Sequence, residues 1–503
     1  MHSDVKVTAQ AGVERLRNYV GGKWVESRSS VWEEVRNPAT DEVLALVPFS
    51  AKEEVDECVA AAKRAFPEWR ATPAVERCRY LFRLKHLLEE RQAELARVIT
   101  LEHGKEYRAA YGEMRRLIEM VEVACGIPTL MMGDYSEQIA PRIEEYSIRV
   151  PLGVFAMIPP FNFPGMVPFW FMPWGVALGD TYIIKPNRQC PITQQRLFEL
   201  IEEVGFPPGV VNLVNGGREV AKWLIEHPDV KGISFVGSTE GAKAIYRMCA
   251  EHGKRCQAQG GANNFLVVMP DADLDAIMPN IMESCFGNSG QRCLSGGVVL
   301  GVGPIYERLK EKFLEAARNL KVGCGLDEDT DLAPVVSREA LQKLHAAIEQ
   351  GIREGAKLLL DGRGVKVEGY PNGYFLGPTV FEAEPGMYVF DEEIFGPVRC
   401  LKRVETVDEA IELINSSRYG NAATIYTQNG AWAREFRFRV ECGNVGINVG
   451  VVAPMAFYPF AGMKDSFFGD LHGQGKDVLD FFTDRKVVIE RWFPEKEVRE
   501  RWF

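Results

Sequence analysis

The 503-residue sequence has no CxxC pair, no long apolar run free of proline, no block of like charge, no low-complexity segment and no internal repeat. Each absence closes off a class of protein. The 11 cysteines, an odd number scattered from Cys58 to Cys442, give neither a disulfide framework nor a zinc-site spacing, so no bound metal is expected. The one charge-free stretch long enough to suggest a membrane span, 150–179, is broken by Pro159, Pro160, Pro164, Pro168 and Pro173. Proline removes a backbone donor and resists helix, so a buried loop with a short helix is expected there and no membrane partner. Residues 1–19 hold no apolar run of the length a secretory signal needs, which points to a cytoplasmic protein. Basic residues (59) fall short of acidic ones (70), for a net charge of −11 and a pI near 5.4. A general nucleic-acid binder needs a basic face, so that class is excluded, although a local basic pocket for a phosphorylated ligand is not.

What is present is ordinary globular composition, 46% hydrophobic and 26% charged, in a chain too long for one core. Two or three domains are expected. From Ser50 to Gly104 the apolar residues repeat at three and four, as Val55, Cys58, Val59 and Ala62 do, which predicts helix with Ser50 as its N-cap. Beyond the proline-rich stretch, short apolar runs alternate with helical segments. Strands are predicted at 181–185, 210–214 and 232–236, and helices at 194–204 and 219–226. Such a β-α-β-α-β rhythm implies a parallel sheet covered on both faces, with ligands at the carboxyl ends of its strands. A second β/α series runs from about 262 to 448, including a strand at 264–269 and a helix at 306–319. The last twenty residues, with Val487, Val488, Ile489 and Trp492, read either as an arm for a neighbouring subunit or as a frayed end.

One segment carries a chemical signal of its own, Phe286-Gly-Asn-Ser-Gly-Gln-Arg-Cys293. A cysteine after a glycine-rich turn can be approached closely, and a thiol near a cation ionises more readily. By itself the segment suits an ordinary buried cysteine equally well. Its company changes that. Taken with Phe161-Asn-Phe-Pro164, Ile184-Lys-Pro186, Phe235-Val-Gly-Ser-Thr239, Gln259-Gly-Gly261 and Glu392-Glu-Ile-Phe-Gly-Pro-Val398, the chain resembles the aldehyde dehydrogenase superfamily over nearly its whole length. Ile127-Pro-Thr-Leu-Met-Met-Gly-Asp134, Ala453-Pro-Met-Ala-Phe457 and Ser466-Phe-Phe-Gly-Asp-Leu-His472 resemble the methylmalonate-semialdehyde dehydrogenase branch.

The resemblance implies an α/β fold: a Rossmann-like cofactor domain (1–125 and 150–259), an α/β catalytic domain (260–464) and a small β oligomerisation arm (126–149 and 478–503). A homodimer or homotetramer follows from the arm. It also implies roles. Cys293 attacks the carbonyl of a small aldehyde to give a thiohemiacetal and then a thioester. Asn162 donates to the developing oxyanion together with the Cys293 backbone N–H, a kind of contact worth about 3 kcal/mol of barrier. Ile158, Phe161, Lys185, Gly237, Ser238, Glu393 and Phe395 fall at positions that bind the nicotinamide cofactor. Glycine at the head of a helix lets phosphate approach, and the helix N-terminus favours its charge.

Departures from the family pattern carry the finer expectations. NAD-preferring relatives place a glutamate where this chain has Arg188, and a guanidinium would welcome a 2′-phosphate, so NADP is expected ahead of NAD. A solvated surface arginine is the plainer alternative. Hydrolytic members have a glutamate where Ala258 stands, and alanine accepts no proton. That favours transfer of the acyl group to coenzyme A. Otherwise another acid must activate water, and Asp484, in Phe482-Thr-Asp-Arg485, aligns with a second acidic position of some relatives. Arg116 and Arg292 correspond to arginines that face a substrate carboxylate in the semialdehyde branch. Leu294 after the nucleophile is atypical there, and Trp170, Phe169 and Phe457 would equally wall an apolar pocket for a branched aliphatic aldehyde. A non-catalytic binding protein on the same scaffold is a further reading, at odds with the joint presence of Cys293, Asn162, Lys185 and Glu393.

Overall fold

The computed structural model describes residues 13–493; most of the segment read for a leader and the end of the expected arm, 494–503, lie outside the described residues. Two large sheets organise the chain. In the first, parallel strands lie in the spatial order Arg255–Gln259, Val230–Val236, Val154–Ile158, Thr181–Ile184, Val211–Leu213. Antiparallel strands extend both edges: Asn18–Val20 and Lys23–Val25 on one side, Phe467–Gly469 on the other.

The period of two within these strands sorts side chains between two cores. Phe155 and Met157 join Tyr182 and Ile184 under one set of helices, with Leu81, Leu84 and Phe198. Val154, Ala156 and Ile158 join Ile183 on the opposite face, against Val55, Val59, Val220 and Ile245. Both faces are therefore buried, which is why these strands read as continuous apolar runs. Each fully buried large aliphatic or aromatic side chain contributes ~1.5–3 kcal/mol against its exposed state.

The helical pattern after residue 50 forms separate helices Lys52–Ala71, Ala74–Glu90 and Gln92–His103, and Gly104, at φ 95°, ends the last of them. The first cap differs from the expectation. Ala51 is the N-cap, its N–H bonded to the Glu54 carboxylate at 2.8 Å, while Ser50 is buried and accepts from Asn18 Nδ2 at 2.9 Å. The stretch 150–179 is only partly the expected loop and short helix: Val154–Ile158 is an inner strand of the first sheet, and the loop beyond it leads into two short helices, Met166–Phe169 and Met172–Leu178. Among the described residues no helix is long and apolar enough to cross a membrane.

The second sheet has the order Lys357–Leu360, Thr379–Glu382, Val398–Val404, Gly296–Val302, Asn264–Val268, Ala422–Tyr426, Asn444–Ile447, all parallel except the first. Here too Phe265 and Val267 face one core and Leu266 and Val268 the other. A small antiparallel sheet joins Tyr135–Ala140, Ile143–Pro151 and Thr483–Arg491, so the C-terminal strand pairs within its own chain.

Candidate active site

The first sheet reverses strand order between Val154–Ile158 and Val230–Val236, and loops leave the carboxyl ends of both into the crevice that opens at such a switch. The loop after Ile158 carries Phe161 and Asn162. The loop after Val236 carries Gly237 and Ser238. Ser238 caps the helix Thr239–Glu251, its Oγ accepting from Gly241 N–H. A Cβ on Gly237 would come within 2.5 Å of the tip of the Phe235 ring, which would have to move aside. Lys185, at the end of the neighbouring strand, is buried and donates from Nζ to the Gly216 carbonyl at 2.8 Å. Burial, and then the nearby Arg188, lower its ammonium to about 8. Phe161 packs edge-on against Phe395 (centroids 5.7 Å apart) and stacks on His103.

Cys293 follows a turn in which Asn288, Ser289 and Gly290 all have positive φ (55°, 53° and 68°). Gly290 has no alternative, because a Cβ would meet Arg399 and the Gly396 carbonyl near 2 Å. Asn288 tolerates the left-handed region and ties its side chain to the Gln291 carbonyl at 3.0 Å; Ser289 donates to Ala333 at 2.6 Å. The Cys293 carbonyl then accepts from Asn264 (2.9 Å) and Asn421 (2.8 Å), which fixes the backbone on which the thiol sits. Asn162 is buried, and its Nδ2 donates to the Gln291 carbonyl at 3.0 Å. An amide nitrogen has two donors, so one remains.

Cys293, partly buried, lines a cavity of about 700 Å³. Burial, and then the Glu393 carboxylate, push its thiol up to about 12, with Arg292 acting in the opposite sense. Glu393 is itself raised to about 7 by burial while accepting the Ala262 N–H at 3.0 Å. Ala258 is fully buried in its strand, opposite Phe235 and Phe468.

The cavity brings together Cys293, Arg116, Arg292 and Trp170. Arg292 donates from both terminal nitrogens to Glu283 at 3.1 Å. Arg116 holds Glu119 at 2.7 Å and the Pro454 carbonyl. Phe169 is packed in the core and does not line the cavity; neither does Phe457, which is exposed against Tyr458. Phe460 takes that place, stacked on Trp170 at 4.6 Å. Asp484 is an exposed residue in an ion pair with Arg255, on the strand Thr483–Arg491, and lines no part of the cavity. Arg188, half exposed, forms an ion pair with Glu33. Sequence reasoning passed over Phe460, Glu283 and Glu113, which line the cavity, Asn264 and Asn421, which hold the Cys293 carbonyl, and Lys105, which pairs with Glu113.

The aldehyde dehydrogenase family model matches residues 24–488. The chain is 50% identical over 483 residues to malonate-semialdehyde dehydrogenase 2 of Geobacillus kaustophilus, covering 96% of this chain and 99% of that one. It is 48% identical to malonate-semialdehyde dehydrogenase of Halalkalibacterium halodurans, with 95% and 99% covered. Among solved structures, methylmalonate-semialdehyde dehydrogenase of Oceanimonas doudoroffii superposes with a TM-score of 0.94 at 40% identity, over 97% of this chain and 100% of that one. A Sinorhizobium meliloti structure complexed with NAD gives a TM-score of 0.95 at 39% identity, with the same coverage. With a cysteine after a glycine turn in the lining of a cavity, and with these relatives, the chain belongs to the aldehyde dehydrogenase family and is an oxidoreductase acting on aldehydes.

Proposed function

We propose that the protein oxidises a small aldehyde bearing a carboxylate, malonate semialdehyde or its methyl homologue, and passes the acyl group to coenzyme A. The observation that carries this reading is the cavity that holds Cys293 together with Arg116 and Arg292, while the position of a hydrolytic base is the buried Ala258. Cys293 gives its proton to solvent water and its sulfur bonds to the aldehyde carbon as the carbonyl π pair moves onto oxygen. The carbonyl oxygen becomes an oxyanion facing the free Asn162 N–H and the Cys293 N–H, and a thiohemiacetal forms. A bound nicotinamide supplies the hydride acceptor that turns this adduct into a thioester. The coenzyme A thiol then attacks the thioester carbon, the acyl–sulfur bond to Cys293 breaks, and the thiol returns. Water is a poor competitor, because no carboxylate stands at position 258 to take its proton.

The crevice suits the cofactor: a helix N-terminus capped by Ser238 follows Gly237 at the end of one strand, and the ammonium of Lys185 lies past the end of another strand of the same sheet. Arg188 favours NADP, and Glu33 already holds that guanidinium, so a 2′-phosphate must displace it. The reading that fits both is use of NAD and NADP by the same site, with Glu33→Gln shifting the ratio of kcat/KM toward NADP. An unchanged ratio in that variant would remove Arg188 from cofactor selection. The small β-sheet, with Tyr135, Ile139, Val487 and Ile489 exposed, supports assembly of a cytoplasmic homodimer or homotetramer through that arm. The whole reading is tested by product formation from malonate semialdehyde and isobutyraldehyde, with NAD or NADP, with and without coenzyme A. Steady reduced cofactor from malonate semialdehyde only when coenzyme A is present is expected. Steady turnover without it would overturn the acylating step.

A further inference from the structure

Glu113 lines the cavity and Lys105 lies behind it; both are charged residues buried at 2% and 0% exposure, and no step above uses them. Lys105 Nζ donates to Glu113 Oε2 at 2.8 Å and also to the main-chain carbonyl of Asn162. Its ammonium lies 4.1 Å from the Phe163 ring centroid. The other oxygen of Glu113, Oε1, accepts the N–H groups of Gly165 at 2.9 Å and Met166 at 3.0 Å. The segment between, Pro164, is held through its carbonyl by Gln194 at 2.7 Å. One ion pair thus grips the backbone of Asn162, Gly165 and Met166, the loop from which the Asn162 amide projects.

Stability alone gives no reason for such a pair. Replacing a buried ion pair by apolar groups of similar volume is often neutral or stabilising. Its geometric effect is specific: with the Asn162 carbonyl fixed by Lys105 and the amide fixed by Gln291, the remaining N–H has one direction. Preorganised donors matter because the oxyanion then forms with nothing left to rearrange. We propose that Lys105 and Glu113 are positioning residues that act on the reaction through Asn162, an inference that rests on the oxyanion role given to Asn162.

The test is a double-mutant cycle read by single-turnover formation of reduced cofactor from malonate semialdehyde at saturating aldehyde. The charge-neutral variant Lys105→Met/Glu113→Gln leaves no lone buried charge and is the first to make; Glu113→Gln alone, which keeps an acceptor for Gly165 and Met166, is the second. Asn162→Ala is expected to slow the step about 100-fold, as loss of an oxyanion donor does, and the pair variant about tenfold. Cofactor affinity should stay unchanged in both. In the Asn162→Ala background, the pair substitutions should cost no further rate, because groups acting through one residue are not additive. A pair variant that keeps the wild-type rate, or that slows the Asn162→Ala enzyme by the same factor as the wild type, overturns the inference while leaving the oxyanion role intact. An Asn162→Ala enzyme as fast as wild type would instead overturn the role of Asn162, and the inference with it.

Discussion

If Arg292 receives the substrate carboxylate, it must first let go of Glu283. Both its terminal nitrogens rest on one oxygen of that acid at 3.1 Å, and the arginine side chain is 13% exposed against 54% for the glutamate. A pair of which one partner is half in water is worth ~0.2–1 kcal/mol, a factor of about 1.4 to 5 in an equilibrium constant. The mostly covered arginine places this pair in the upper part of that range. Glu283→Gln removes the competitor, and it also removes a negative charge that repels an anionic substrate, in the same direction. The expected result is a KM for malonate semialdehyde lowered about two- to fivefold, with kcat little changed and the KM for isobutyraldehyde unmoved. Arg116 gives a weaker lever, because the Pro454 carbonyl holds it as well as Glu119. Steady-state kinetics with the two aldehydes decide the matter. An equal change for charged and uncharged substrates, or a raised KM for the semialdehyde, would refute the carboxylate clamp.

The free enzyme should be a sluggish nucleophile. With burial and Glu393 holding the Cys293 thiol near 12, alkylation by iodoacetamide should climb about tenfold per pH unit with no plateau below about pH 9. Glu393, raised to about 7, is charged above that pH and opposes the thiolate, so Glu393→Gln should alkylate faster at alkaline pH. A plateau near neutrality, or no gain in that variant, would contradict the arrangement. Asp484→Asn should leave turnover unchanged and cost at most about 1 kcal/mol of stability, since an exposed ion pair is all it loses. A tenfold fall in turnover would return Asp484 to the chemistry.

Strands buried on both faces, such as Thr181–Ile184 and Asn264–Val268, were legible as short apolar runs, whereas Val154–Ile158, an inner strand of the first sheet, was hidden inside the charge-free, proline-broken stretch read as a loop. Cys293, Asn162 and the crevice residues stand out in the sequence through motifs, which are local. The rest of what was hidden depends on partners distant in the chain. Ser50 is a good cap residue, but its hydroxyl is taken by Asn18 across the sheet edge. Asp484 meets Arg255, and Arg188 meets Glu33, pairs that no periodicity reveals. Phe457 and Phe460 belong to one loop, and only its path decides which reaches Trp170. Lys105 and Glu113 escaped because a helical pattern registers apolar faces and is blind to an ion pair buried between a helix and a loop.

The measurement that bears most directly on the account is the mass of the enzyme after mixing with malonate semialdehyde and nicotinamide cofactor in the absence of coenzyme A. The account predicts a burst of one reduced cofactor per subunit, an acyl adduct that peptide mapping places on Cys293, and release of that adduct when coenzyme A is added. Continuous turnover with no adduct, or an adduct on another of the cysteines, would contradict it.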